Sequence, residues 1–126
     1  MATETAYDIV QDYHRAWTSG DVEGAMRHVA DDITCRAPGG DLEDKDAYRG
    51  FIGGFAPSLT GIADIAAFSD GDRVALFYYP QTVATSTAPA AECFTVRDGR
   101  ITAVAYAEPA ADLLPVKKGR GFKVGT

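Results

Sequence analysis

Residues 91–106 read Ala-Glu-Cys-Phe-Thr-Val-Arg-Asp-Gly-Arg-Ile-Thr-Ala-Val-Ala-Tyr, two apolar-rich runs on either side of Asp98-Gly99. Asp-Gly supplies the positive φ angles of a two-residue hairpin turn, so the stretch predicts antiparallel strands over about 91–97 and 100–108. Asp70-Gly71 repeats the signal between apolar runs and predicts strands over about 61–69 and 73–83. The second half of the chain therefore reads as four antiparallel strands. Alternation assigns their faces: Glu92, Phe94 and Val96 point one way, Ala91, Cys93, Thr95 and Arg97 the other, and the face with Phe94 and Val96 is the inner one. On the last strand Val104, Tyr106 and Glu108 share one side, with Ile101, Ala103, Ala105 and Ala107 opposite. In the 73–83 segment Leu76, Tyr78 and Pro80 alternate with Ala75, Phe77 and Tyr79, and the pattern leaves either set to face inward.

Working back toward the N-terminus, the period changes to that of helices. Ile9/Val10, Tyr13, Ala16 and Trp17 form the stripe of an amphipathic helix over residues 4–18, ended by Ser19-Gly20. Asp21 caps a second short helix with Val22, Ala25, Met26 and Val29 on one face. Residues 33–37 read as a strand closed by Pro38-Gly39-Gly40, and Asp44 caps a third helix over 45–55 that buries Ala47, Tyr48, Phe51, Ile52 and Phe55. Gly50, Gly53 and Gly54 weaken that helix by about 1 kcal/mol each relative to alanine, so packing must hold it. The order predicts one α+β domain, residues 1–126, in which three helices cover a curved, mainly antiparallel sheet, with 109–126 as a tail.

The composition narrows the function classes. At 126 residues, 46% hydrophobic and 24% charged, the chain suits a single globular unit. Eighteen acids against twelve bases give a net charge of −6, which weighs against nucleic acid or an anionic membrane surface as partner. The last ten residues run the other way, with Lys117, Lys118, Arg120 and Lys123 and no acid. No apolar run approaches the roughly 18 residues of a spanning helix. The opening Met1-Ala-Thr-Glu-Thr-Ala-Tyr-Asp lacks the basic-then-apolar pattern of an export signal, so a cytoplasmic protein is expected. Cys35, Cys93, His14 and His28 have neither disulfide-framework nor metal-ligand spacing. The two cysteines read as buried thiols in a reducing compartment, the two histidines as surface residues, and neither a metal nor a cofactor is expected.

A carboxyl held among apolar groups keeps its proton to higher pH and can then donate a hydrogen bond or act as a general acid. Glu92, beside Phe94 and Val96, is the first candidate, and with Tyr13 or Tyr106 it would make a site for an oxyanion. Glu92 lies near the start of its strand and Glu108 at the end of another, positions from which side chains also reach solvent. Tyr13 and Trp17 serve equally well as core aromatics.

The run from Val10-Gln-Asp-Tyr13-His-Arg-Ala-Trp17 through Ser19-Gly20-Asp21 to Asp31-Asp32-Ile33-Thr34 resembles the opening of the NTF2-like superfamily, in its SnoaL-like and ketosteroid isomerase-like branch. Lys45-Asp-Ala47-Tyr48-Arg49 and Arg97-Asp98-Gly99-Arg100-Ile101 continue the likeness, which spans about residues 5–108. The resemblance implies a cone-shaped fold in which a strongly bent sheet wraps a long helix and leaves an apolar pocket at the open end. It does not select an activity, because such domains include isomerases, polyketide cyclases, dehydratases, epoxide hydrolases and noncatalytic modules.

Carried across by position, Tyr13 falls at the oxyanion-binding tyrosine of ketosteroid isomerase and Glu92 at its protonated aspartate. The general base of that enzyme precedes the proline at the end of the first strand, where this chain has Ala37. A standard steroid isomerase is therefore not expected. Asp41, three residues beyond Pro38, is an alternative carboxylate at the rim, and no Arg-x-Asp pair of the epoxide hydrolase kind lies on an inner face.

Three expectations follow from the resemblance. One is a cofactor-free enzyme that moves a proton at carbon on a hydrophobic carbonyl compound. In it Tyr13 and Glu92 would hold the enolate oxygen, Glu108 or Asp41 would be the base, and Trp17, Phe55, Tyr78, Phe94, Val104 and Tyr106 would shape the pocket. Another is a noncatalytic protein that binds a small hydrophobic ligand in the same pocket. The third is a homodimeric or partner-docking module that uses the small residues Ala103, Ala105 and Ala107 on the outer sheet face.

Overall fold

Local chemistry sets each helix in the computed structural model, which describes residues 4–37 and 39–107. Helix α1 (Ala6–Thr18) starts at a capping box, in which the Thr5 hydroxyl accepts from the Asp8 amide and the Asp8 carboxylate accepts from the Thr5 amide. It buries Ile9, Val10, Tyr13 and Trp17, the stripe expected from the sequence, and also His14. The chain then turns at Gly20, whose φ of 96° is open to glycine without strain. Asp21 caps α2 (Val22–Met26) through the Gly24 amide, and Asp44 caps α3 (Lys45–Phe55) through the Ala47 amide. Helix α3 buries Tyr48 and Ile52 and continues into a 3-10 turn, Ala56–Ser58.

Six strands follow or separate these helices: β1 (Val29–Ala37), β2 (Gly40–Leu42), β3 (Leu59–Asp70), β4 (Arg73–Thr82), β5 (Ala90–Arg97) and β6 (Arg100–Ala107). They form one sheet in the order β2-β1-β6-β5-β4-β3, antiparallel except where β1 and β6 run parallel. Three features differ from the expectation. Strand β1 begins at Val29, because α2 stops at Met26 and Val29 pairs with Ile101 on β6 instead of extending the helix face. The chain after Ala37 folds back as a short strand, so Asp41 lies opposite Arg36 in a hairpin and not in a free loop. On β6 the pairing shifts at Thr102, so Ile101 and Val104 are both buried although simple alternation places them on opposite faces.

The inner face of the sheet and the helices share one core. Val74, Leu76 and Tyr78 are the buried set of β4, which settles the face that the alternation left open. They pack with Phe94, Val96, Ile101, Val104, Ile33 and Cys35 against Tyr13, Trp17, Tyr48 and Ile52. Each large apolar side chain so buried contributes about 1.5–3 kcal/mol relative to exposure. Cys35 is buried as expected, whereas Cys93 points to the outer face and is exposed.

Candidate functional site

Glu92 sits on β5 between Leu76 of β4 and Tyr106 of β6 in cross-strand register. The inward parity of β5 carries its carboxyl into the core, and it is 2% exposed. Neither carboxylate oxygen has a well-aligned hydrogen-bond partner among the described residues. Burial pushes the carboxyl up to about 7, and the flanking phenols of Tyr106 and Tyr78 oppose that rise without cancelling it. A group of this kind exchanges its proton near neutral pH.

Four phenols surround it: Tyr13 from α1, Tyr48 from α3, Tyr78 from β4 and Tyr106 from β6. The Tyr13 and Tyr48 hydroxyls are hydrogen-bonded to each other in the core. Burial holds all four phenols above their usual ionisation range, and Glu92 adds to the rise in each case. They are therefore neutral donors at physiological pH. Tyr106 is half-buried along its ring, with its hydroxyl end in the interior, and packs edge-on to Phe51 at 5.7 Å between centroids.

A cavity of about 270 Å³ opens beside this cluster, lined by Trp17, Phe51, Phe55, Tyr78, Pro80 and Tyr106 together with Gly39, Ile52 and Ala90. Four of the expected pocket residues, Trp17, Phe55, Tyr78 and Tyr106, thus share one wall system. Phe94 and Val104 are buried in the core and do not line it. Tyr13 and Glu92 are also buried and absent from the lining, to which Tyr78 and Tyr106 of the same cluster contribute. Asp41 is elsewhere, more than half exposed on β2 with its carboxylate 3.9 Å from Arg36. Glu108 lies outside the described residues. No carboxylate lines the cavity among the described residues, and Ala37, at the position of the isomerase base, ends β1.

Two residues of interest escaped the sequence reading. Tyr48 was expected only as an apolar contact of α3, and its bond to Tyr13 spans 35 positions that no local pattern links. His14 was expected at the surface, but it is 5% exposed, because β3 and β4 cover the flank of α1 next to its main stripe. Among the described residues there is no group of three or more His, Cys, Asp or Glu placed to hold a metal ion, and no helix is long and apolar enough to cross a membrane.

Comparison with known proteins places this geometry. The sequence profile of the SnoaL-like domain matches residues 10–104, from the first helix to the last strand. The chain belongs to the SnoaL-like family. No curated protein matches it. Among solved structures, a protein from Kribbella flavida DSM 17836 is 43% identical over 86% of this SnoaL-like chain and 91% of its own, with a TM-score of 0.80. An NTF2-like protein of unknown function from Cytophaga hutchinsonii ATCC 33406 shares the fold at 19% identity, with a TM-score of 0.72 and coverage of 86% and 96%. TerC, co-crystallised with polyporic acid, does so at 19% identity, with a TM-score of 0.65 and coverage of 82% and 90%. The two more distant likenesses bear on the SnoaL-like fold alone and confirm a helix-filled curved sheet.

Proposed function

We propose that this SnoaL-like protein is a cofactor-independent enzyme that moves a proton at carbon on a small hydrophobic carbonyl compound, with Tyr78, Tyr106 and Glu92 as its acid unit. The observation that supports this most is the buried Glu92 carboxyl, pushed up to about 7, directly behind two phenols that line an aromatic cavity. A neutral Glu92 donates its proton to one phenol oxygen and leaves the phenol hydroxyls free to point into the cavity, where they hold a carbonyl oxygen. An ionised Glu92 accepts from both phenols and turns those donors away from the ligand. As a base removes the proton from the carbon next to the carbonyl, the C–H pair becomes a C=C bond, the carbonyl π pair passes to oxygen, and the phenols stabilise the resulting oxyanion. Where a C=C bond lies next to the deprotonated carbon the enolate is extended, and return of the proton to its far carbon shifts the C=C bond and completes an isomerisation. The base in this reading is Glu108, the candidate two residues after Tyr106 in the sequence; Asp41 is tied to Arg36 away from the cavity.

Deuterium uptake provides a test that needs no knowledge of the natural substrate. A fused-ring aromatic ketone such as 1-tetralone is incubated with the protein in heavy water, and exchange at the carbon next to the carbonyl is followed by NMR. Exchange is expected with wild type and is expected to fall at least tenfold in Glu92→Gln, in the double variant Tyr78→Phe/Tyr106→Phe and in Glu108→Gln. Wild-type rates in the first two variants overturn the acid unit, and a wild-type rate in Glu108→Gln overturns the base.

The absence of a carboxylate from the cavity lining among the described residues, with Ala37 at the base position, favours a second reading in which the site binds a ligand without turning it over. That reading expects 1-tetralone to quench Trp17 fluorescence with no deuterium uptake by any form of the protein. The outer sheet face supports a homodimer in either case, because Phe68 and Phe77 stand exposed there with rings 6.1 Å apart, beside Ala75, Ala91 and Ala105. Sedimentation is expected to show a dimer that Ala105→Glu splits; a monomeric wild type removes this element.

A further inference from the structure

His14 is a buried titratable group outside the acid unit, and its surroundings are specific. Its Nε2 lies 3.4 Å from the Asp64 carboxylate, and its ring stands edge-on to Tyr78 with centroids 4.6 Å apart. Asp64 owes its position to a bulge on the edge strand β3. Asp64 pairs with Tyr78 and Ala66 pairs with Phe77, so Ile65 is an extra residue pushed outward, 49% exposed. A one-residue insertion changes which face the following side chains occupy, and bulges commonly serve to re-aim a side chain. Here the bulge leaves Asp64 as the cross-strand neighbour of Tyr78, with its carboxylate reaching back to α1.

Among the described residues the imidazole is held by one nitrogen. With the Nε2 hydrogen donated to Asp64, Nδ1 is a bare acceptor, buried with no hydrogen-bond partner among the described residues. Burial lowers the His14 pKa, against the opposing pull of Asp64 and with a smaller contribution from Arg15, so the ring is neutral at neutral pH. A buried imidazole fixed at one edge by a carboxylate can hold a neighbouring side chain in place. Tyr78 is that neighbour. Tyr78 borders both the groove that holds His14 and Asp64, about 210 Å³ in size, and the aromatic cavity beside Glu92.

We propose that Asp64 and His14 are positioning residues for Tyr78: the bulge aims Asp64 at His14, the contact fixes the imidazole, and the ring edge fixes the phenol against Glu92. The pair touches neither ligand nor reacting atoms. This inference rests on the reading of Tyr78, Tyr106 and Glu92 as an acid unit, and it adds an outer layer that reaches the surface, where the Asp64 side chain is 75% exposed. The groups that face Glu92 are the phenols of Tyr13 from α1, Tyr48 from α3, Tyr78 from β4 and Tyr106 from β6, with the Cys35 thiol on β1 nearby. Of these, Tyr78 alone is in contact with His14 and opposite Asp64.

The test reads Glu92 directly in the free protein by carbon-13 NMR of labelled glutamate side chains, with the resonance assigned through Glu92→Gln. The first variant is Asp64→Ala, whose exposed site makes loss of folding an unimportant risk. Tyr78 holds the Glu92 titration midpoint down, so releasing Tyr78 is expected to raise that midpoint, on the order of half a pH unit. Simple removal of the Asp64 negative charge has the opposite sign, because one fewer anion nearby makes Glu92 easier to ionise. The direction therefore separates positioning from plain electrostatics.

In a Tyr78→Phe background the Asp64→Ala displacement is expected to disappear, as it must if it acts through the phenol. His14→Phe, with folding checked by near-ultraviolet circular dichroism, is expected to reproduce the upward displacement. An unchanged or lowered midpoint in Asp64→Ala, or an upward displacement that persists without the Tyr78 hydroxyl, overturns the proposal. No substrate is involved, so this outcome is independent of whether the deuterium exchange above is observed.

Discussion

Replacing Glu92 by glutamine is expected to change how the stability of the protein depends on pH, and both the sign and the size follow from the buried carboxyl. In the unfolded chain this group has the ordinary glutamate value of 4.5, and in the fold it is pushed up to about 7. Between those values the native state holds the proton that the unfolded state has lost, so stability falls as the pH rises. Below about 4.5 both states are protonated and the group carries no penalty, whereas above about 7 both are ionised and the full cost of a buried charge is present. A displacement of this size corresponds to about 3 kcal/mol, or on the order of 10 °C in melting temperature for a domain of this length.

Glutamine has nearly the same shape and no charge to bury. The assay is urea unfolding of wild type and Glu92→Gln from pH 4 to 8, taken as a difference so that the many exposed carboxylates cancel. The stability of the variant relative to wild type is expected to climb through the window from about 4.5 to 7 and to level off above it. A flat difference across that window, or one that declines, would refute the assignment of a raised, buried carboxyl. A climb that starts near 4.5 but continues well above pH 7 before levelling would show that the group is held more strongly as the acid than its surroundings imply.

The remaining predictions concern the frame around that group. Removing either hydroxyl of the Tyr13–Tyr48 pair deprives the other of a buried partner, so Tyr13→Phe and Tyr48→Phe should each cost about 1–3 kcal/mol in urea unfolding, Tyr13→Phe the less because Tyr48 keeps Tyr106 as a neighbour. The double variant should cost less than the two losses added together; strict additivity would mean that the hydroxyls do not interact. Gly99 turns the last hairpin at a φ of 77°, so Gly99→Ala should destabilise by about 1–2 kcal/mol. Gly50 stands on the exposed side of α3 with open space around its α-carbon, so Gly50→Ala should instead stabilise by about 0.5–1 kcal/mol. Thermal melts of the pair check both signs. Thr5→Ala breaks the capping box of α1 and should cost about 1 kcal/mol, visible as earlier loss of helical circular dichroism on heating.

Much of this frame was legible in the sequence because it is written locally. Asp21 and Asp44 cap the helices they were expected to cap, and α3 spans Lys45–Phe55 as its stripe predicts. Asp98-Gly99 turns its hairpin, and the other hairpin turns one residue later than expected, at Gly71-Asp72 between the paired Asp70 and Arg73; the two signals placed four strands and put Glu92 opposite Tyr106. What escaped depends on contacts distant in sequence or on breaks in periodicity. Gly40–Leu42 is too short to show a period, and it is a strand only because β1 offers it an edge. The extra residues at Ile65 and Thr102 reset the alternation without any signature in residue type. That is why Ile101 was assigned to the wrong face. His14 lies one step off the stripe of α1, and only the arrival of β3 and β4 over that flank decides its burial. The Glu92 and Tyr13 positions were legible as residues, whereas their place behind the cavity wall, with Tyr78 and Tyr106 in front, emerges only from the assembled sheet.

The single parallel pairing, between β1 and β6, also dictates an order of assembly. Every other neighbouring pair in the sheet is joined by a short or moderate connection, whereas Cys35 meets Val104 only after nearly seventy intervening residues are in place. The amide of Ile101 also bonds to the carbonyl of His28 at 2.7 Å, which pins the start of β6 to the turn before β1. Closing so long a loop comes late in folding, once the local hairpins exist to offset its entropy. As the chain leaves the ribosome, the β3–β4 hairpin can form early, but the seam between the two ends of the domain has to wait for β6. Until that seam closes, the acid face of β5 is open to water and Glu92 is free to ionise. Strand β6 is thus the one that completes the interior in which the glutamate acquires its unusual proton affinity.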